Sequence, residues 1–145
     1  MTDIERLIAI EELRQLKARY FRCMDTKDWD GFAAVFAPDA TADYTPPGGD
    51  KKVWSAAGAG NIVALVKQAV APAITVHHGH MPEIEVTSTT QAKGIWSMED
   101  LIWWPEGARH KTMHGMGHYH ETYEKLAGRW LIKSLLLTRL RVEQE

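Results

Sequence analysis

The chain has one cysteine, Cys23, so it can form no internal disulfide and must fold on its apolar core alone. Cys23 precedes a helix end and not a basic pocket, so we read it as a buried, unreactive thiol in a reducing compartment. Neither sign of charge dominates. A formal net charge of -2 leaves no basic face for phosphates, which argues against a nucleic-acid partner. Long apolar runs are also missing. The stretch "NIVALVKQAVAPAI" is interrupted by Lys67 and Gln68 and is too short for about 30 Å of hydrocarbon. The opening residues, "MTDIERLIAIEELRQ", carry acids where a secretory leader has a basic start, so we expect no membrane partner and a cytoplasmic protein. There is no GxGxxG, P-loop or HExxH pattern to hold a nucleotide or a zinc ion, and there are no internal repeats or low-complexity segments.

What remains is an ordinary soluble composition, 45% hydrophobic and 25% charged, in a chain of 145 residues. That length predicts a single domain over residues 1–145. Thr2 or Asp3 can cap a long helix whose apolar residues Leu7, Ile10, Leu13, Leu16, Tyr20 and Met24 recur at helical spacing, with Glu, Arg and Lys on the other side. "TKDWDGFAAVFAPDA" predicts a turn, a short helix carrying Trp29, Phe32, Val35 and Phe36, and a stop at Pro38. "ATADYT" predicts a short strand and "PPGGDKK" a loop, and a second amphipathic helix runs from about Gly60 to Ala71. From Ala73 onward, β-branched and aromatic runs separated by polar turns predict a meander of about four long strands. The expected fold is α+β: helices packed on a curved antiparallel sheet that encloses a pocket.

Suspicion falls on polar groups that the strand period turns toward the interior, since burying an unpaired charge costs several kcal/mol. In "GIWSMEDLIWWP", Asp100 is the only charge on the face shared by Trp96, Met98, Ile102 and Trp104; it is either a structural carboxylate or part of a pocket. In "RWLIKSLLLTRLRVE", alternation places Arg139 with Leu131, Lys133, Leu135 and Leu137, where it snorkels or pairs with a carboxylate. Tyr20 sits in the apolar stripe of the first helix and needs a partner for its hydroxyl, and Asp25 follows where that helix gives out. In "VHHGHMPEIEV", alternation separates His77 from His78 and His80, but Gly79 and Pro82 can bulge the strand, so parity does not choose among them. In "HGMGHYHETYE", His114, His118 and His120 share a face with Met116 and Glu124. Cupin-type barrels hold metals with such a set, but the spacing fits only in part, and we expect no metal.

Taken together, "ARYFRCMDTKDWDGF", "TVHHGHMPEIEV", "SMEDLIWW", "YEKLAGRWLI" and "TRLR" resemble the SnoaL-like branch of the nuclear transport factor 2-like (NTF2-like) superfamily over nearly the whole chain. Within that branch, "YFRCMD" and "HHGHMPEI" look most like bile-acid 7α-dehydratases; scytalone dehydratases and lindane dehydrochlorinases look more distant. The resemblance implies an NTF2-like cone and a catalytic set of Tyr20, Asp25, His77, Asp100 and Arg139. It also implies that Tyr44 faces the pocket, and we add His80, Trp96, Met98 and His118 as candidate substrate contacts. The implied activity is a cofactor-independent lyase acting on a small hydrophobic substrate, a hydroxy ketone or enone on a steroid or polyketide-like ring. His77 would act as base, with Asp25 orienting it and Tyr20 donating to the enolate oxygen. The alternatives are an isomerase or cyclase using the same enolate chemistry, or a non-catalytic domain that binds small molecules. Six tryptophans and "LIWW" offer more apolar sheet surface than one domain needs, so we expect a homo-oligomer, a trimer in preference to a dimer.

Overall fold

The computed structural model describes all 145 residues. Helix α1 (Asp3–Asp25) starts with a reciprocal capping box: the Thr2 hydroxyl accepts from the Glu5 amide at 3.1 Å, and the Thr2 amide donates to the Glu5 carboxylate at 2.6 Å. Asp3 and Glu5 place negative charge on the positive end of the helix dipole. Its buried stripe is Leu13, Leu16, Lys17, Tyr20, Phe21 and Met24. Leu7, predicted to lie in this stripe, is 66% exposed, as are its neighbours Ile4 and Ile8 to similar degrees. The expectation that every lysine of this helix faces outward is overturned by Lys17, which is fully buried.

Helix α2 (Trp29–Ala33) is capped by Asp28, whose side chain accepts from the Gly31 amide. It is shorter than predicted, because Phe36 already begins strand β1 (Phe36–Asp43). Pro38 does not stop a helix; it lies inside β1, within the stretch where the pairing shifts register and the missing N–H leaves no gap in a ladder. The "PPGGDKK" region holds a loop and then two short elements not predicted, helix α3 (Lys51–Trp54) and strand β2 (Ser55–Ala57). Helix α4 (Ala59–Val70) matches its predicted span closely and buries Ile62, Val66 and Val70 at four-residue steps.

The four long strands are β3 (Ile74–Val86), β4 (Gln91–Trp103), β5 (Thr112–Leu126) and β6 (Arg129–Gln144). The sheet order is β2-β1-β6-β5-β4-β3. The sheet is mixed and not purely antiparallel, because β1 runs parallel to β6. It does not close into a barrel. Helix α1 packs across β3 and also reaches β6, while α4 packs on β1 and β2, so the inner face of the sheet and the helices surround one cavity, as in an NTF2-like cone. Close approach of α1 to the sheet depends on Gly79: a Cβ there would lie 2.7 Å from Phe21 Cε2 and 3.0 Å from Trp96 Cε3. No helix is long and apolar enough to cross a membrane.

Candidate active site

Cross-strand pairing builds the site along two neighbouring rows of the sheet's inner face. His77 on β3 is the partner of Asp100 on β4, Asp100 is the partner of Gly115 on β5, and Gly117 on β5 is the partner of Arg139 on β6. The alternation predicted for β4 holds, with Trp96, Met98, Asp100 and Ile102 all buried on the inner face. His77 takes the inner face of β3 together with Thr75 and Gly79, which resolves the ambiguity left by the sequence.

The last residue of α1, Asp25, reaches His77 twice. One carboxylate oxygen accepts from the His77 amide at 2.8 Å, and the other lies 2.6 Å from His77 Nδ1. The oxygen facing Nδ1 also accepts from the Thr75 hydroxyl at 2.8 Å, and that hydroxyl in turn accepts from Lys27 Nζ at 2.9 Å. Burial alone would raise the Asp25 pKa, but the bonds from His77 and Thr75 outweigh it and hold the carboxyl below the usual aspartate range. An ionised carboxylate only accepts, so the network assigns the proton of the neutral ring to Nδ1 and leaves a free lone pair on Nε2. Nε2 points into the cavity toward Asp100 Oδ2, 3.8 Å away, which is too long for a hydrogen bond and close enough for charge attraction once the ring is protonated.

Asp100 is held by a two-pronged bond from Arg139, with Nη1 to Oδ1 at 2.7 Å and Nη2 to Oδ2 at 3.0 Å. Both side chains are almost completely removed from solvent. Burial opposes the Arg139 charge, but Asp100 more than offsets it, so the guanidinium stays charged. Room for this fork comes from Gly115, where an added Cβ would overlap both Arg139 Nη1 and Asp100 Oδ1. Gly115→Ala should therefore break the fork and lower stability by roughly 1–3 kcal/mol, typical of overpacking, measured by chemical denaturation.

Tyr20, fully buried in α1, bonds its hydroxyl to that of Tyr44 at 2.7 Å. Burial raises the pKa of both phenols, so both stay protonated. The pair owns two hydroxyl hydrogens and uses one between its members, so the other can go to a ligand or to the neighbouring Tyr119 hydroxyl. These groups line a cavity of about 550 Å³. Its remaining wall is mostly apolar, with Met24, Trp54, Val66, Ile102, Met113 and Leu137 among its members.

Tyr20, Asp100, His77, Arg139 and Tyr44 all line this cavity, and Asp25 supports it from behind His77. Four predicted substrate contacts do not line it. His80 and His118 project from the outer face of the sheet, His80 Nε2 lying 3.4 Å from Glu99 Oε1, because the strand period puts them opposite His77 and Tyr119. Trp96 and Met98 are on the inner face, but they are sealed in the core, where the Trp96 indole N–H donates to the Tyr123 hydroxyl at 2.9 Å. His114 and His120 also lie on the outer face and do not converge: His114 meets Glu99 at 3.0 Å and His120 meets Thr138 at 3.0 Å. No group of three or more histidine, cysteine, aspartate or glutamate side chains is arranged to hold a metal ion. Cys23 is buried, and burial pushes its thiol pKa up, in keeping with an unreactive residue.

Sequence reasoning missed Thr75, Tyr119 and the buried Lys17. Alternation from His77 would have found Thr75, and alternation from Gly115 and Gly117 would have found Tyr119. Because the folded-state pKa of Asp25 lies below the unfolded value of about 3.9, this carboxylate adds stability at neutral pH that is lost as the pH falls below about 4. Asp25→Asn should remove that part of the acid sensitivity, read from denaturation midpoints at about pH 7 and about pH 3.

A helix-backed sheet with an imidazole and a carboxylate facing an apolar cavity defines a small α+β pocket protein. Residues 5–135 match the SnoaL-like domain, and the chain belongs to that family, within the NTF2-like fold. A protein of Gibberella zeae named "Probable cyclase FGR4" is 29% identical over 137 residues, covering 88% of this chain and 89% of that protein. A hexachlorocyclohexane dehydrochlorinase (LinA) type 2 superimposes with a TM-score of 0.83 at 20% identity, over 99% of this chain and 93% of that one. A protein of Novosphingobium aromaticivorans provisionally named scytalone dehydratase superimposes with a TM-score of 0.86 at 18% identity, over 99% and 92%. At such identities the two structures speak for the fold alone.

Proposed function

We propose that this chain is a lyase of the dehydratase type, removing water from a β-hydroxy ketone or its vinylogue carried on a hydrophobic ring such as a steroid or polyketide. The observation that carries this reading is the Asp25–His77 pair: the carboxylate fixes the proton on Nδ1 and turns a bare Nε2 into an apolar cavity. Nε2 takes the acidic proton from carbon, and the resulting imidazolium sits between Asp25 and Asp100, whose charges favour it. Electron density moves to the carbonyl oxygen, which accepts the spare hydrogen of the Tyr20–Tyr44 pair. The double bond then re-forms, the carbon–oxygen bond breaks, and the departing hydroxyl takes the proton back from Nε2 to leave as water. This sequence needs only a base, an acid and a donor. Arg139 holds Asp100 in place as its counter-ion.

The names of the structural neighbours, a dehydrochlorinase and a dehydratase, describe eliminations that begin at carbon, and they support this reading by fold analogy. The "YFRCMD" and "HHGHMPEI" segments favour a bile-acid-like steroid among ring substrates. A 7α-hydroxy-3-oxo-4-ene steroid mixed with the protein should gain the absorbance of an extended conjugated ketone. Uptake of the steroid with no spectral change would instead identify a binding domain. A second reading rests on the Gibberella zeae relative: if the enolate attacks a carbon within the same ligand before a leaving group departs, the same residues run a cyclisation.

A further inference from the structure

On the α1 side of the cavity wall lies a charged pair that the reaction above does not use. Lys17 stands one helical turn before Tyr20 and Phe21, so the three share a face of α1. Its side chain and that of Glu121 on β5 are both completely buried, with Nζ 2.9 Å from Glu121 Oε2. The ammonium is also wedged between two rings, 3.6 Å from the centroid of Tyr20 and 3.6 Å from that of Tyr119, with Phe21 at 5.0 Å. The other oxygen of Glu121 accepts from the Tyr123 hydroxyl at 2.8 Å, which accepts in turn from the Trp96 indole. The network thus holds the carboxylate from two sides, and the carboxylate holds the ammonium.

Stability is a poor explanation for such a pair, because well-packed apolar residues in place of a buried ion pair are often neutral or stabilising. Its position suggests another use. Tyr20 and Tyr119 both line the cavity, and the Tyr20 hydroxyl is half of the Tyr20–Tyr44 donor pair. A cation on the face of a phenol ring attracts its π electrons, restrains the ring and draws density from the oxygen, which makes the O–H a better donor. Burial is the main cause that pushes the Tyr20 phenol up, and the Glu121 charge adds to it; the ammonium on the ring face carries the opposite charge.

We propose that Lys17 is a positioning residue of this site: anchored by Glu121, its ammonium clamps the rings of Tyr20 and Tyr119 and strengthens the Tyr20–Tyr44 pair as a donor to a ligand oxyanion. This rests on the reading of that pair as the group that meets the enolate oxygen. The groups facing Lys17 are Tyr20 and Phe21 from α1 and Tyr119 and Glu121 from β5. Burial brings the Lys17 ammonium down to about 8, against the opposing pull of Glu121, so the clamp should be lost on the alkaline side of neutrality.

Lys17→Met alone would strand the Glu121 carboxylate in the core, so the test uses Lys17→Met/Glu121→Gln, which removes both charges and keeps the volume. With the hydroxy-enone steroid, kcat should fall about ten- to thirty-fold with KM changed by less than about three-fold, and the wild-type decline in kcat near pH 8 should disappear. In a Tyr20→Phe background the same two substitutions should change kcat no further. Binding of 2-naphthol, followed by the absorbance of its ionised form, gives a readout without turnover: the wild-type cavity should hold a larger naphtholate fraction than the double variant. Should no steroid turn over, a naphtholate fraction that falls in the variant still supports the role of Lys17 while the lyase reading fails. Wild-type kcat and naphtholate fraction in a folded double variant would overturn the proposal. If that variant does not fold, a wild-type kcat unchanged through pH 8 with a bound naphtholate fraction that rises as a single ionisation would overturn it, and a decline in kcat or a break in that rise near pH 8 would support it.

Discussion

His77→Gln is expected to lower turnover of a β-hydroxy enone by roughly 10²- to 10⁴-fold, the usual contribution of a positioned base, with little change in KM. Glutamine keeps a polar group of similar reach but has no lone pair basic enough to accept a proton from carbon. Asp25→Asn should produce a loss of similar order by a different route. The amide no longer requires the proton on Nδ1 or stabilises the imidazolium, so the ring loses both its orientation and the counter-charge now 2.6 Å from it. The two substitutions act on one unit, so the double variant should be scarcely slower than either single one. Three rate measurements and a shared KM check this, and additive losses would show that the two residues work separately.

Asp100→Ala should have the largest effect on stability. It leaves the Arg139 guanidinium, with its side chain 11% exposed, without the carboxylate that neutralises it. Losing one partner of a buried pair costs roughly 3–5 kcal/mol, a large share of the total for a domain of this size. Replacing both residues with apolar ones, as in Asp100→Leu/Arg139→Met, should recover most of that stability, because no lone charge is left behind. Activity should not return with it, since Asp100 also faces the protonated His77 across 3.8 Å. Urea denaturation of the three proteins together with their turnover separates the two roles. A stable double variant with normal activity would confine Asp100 and Arg139 to structure.

How much of this was legible in the sequence depended on the regularity of each element. Strand β4 has no bulge, so alternation placed Asp100 on the buried face correctly. Strand β3 could not be read the same way: around Met81, with φ of 24°, and Pro82 the register shifts between His80 and Glu83, and three nearby histidines offered either parity. Strand β6 misled by the same mechanism. Arg139 does share a face with Leu135 and Leu137, but Lys133 is the extra residue where the β5 register jumps from Tyr123–Ile132 to Thr122–Ser134, so the face before it is Trp130 and Ile132 instead of Leu131 and Lys133. Lys17 was assigned outward by residue type, although positions 13, 16, 17, 20, 21 and 24 form one stripe; only its partner Glu121, distant in the chain, makes burial tolerable. Pairing at such separation leaves no local signal. The five residues carried by the family resemblance do meet around the cavity, whereas the added contacts His80 and His118 do not line it, because the strand period turns both to the outer face, opposite His77 and Tyr119.

The most direct measurement is hydrogen exchange at carbon. A cyclic enone that fits the cavity but carries no leaving group cannot be dehydrated, yet a base at His77 would still remove and replace its acidic proton. In heavy water, followed by NMR, the wild-type protein should load deuterium at that one carbon, Asp25→Asn should do so far more slowly, and His77→Gln should match the buffer alone. Deuterium entering at an undiminished rate in His77→Gln, or failing to enter a wild-type protein saturated with the ketone, would contradict proton removal from carbon by His77.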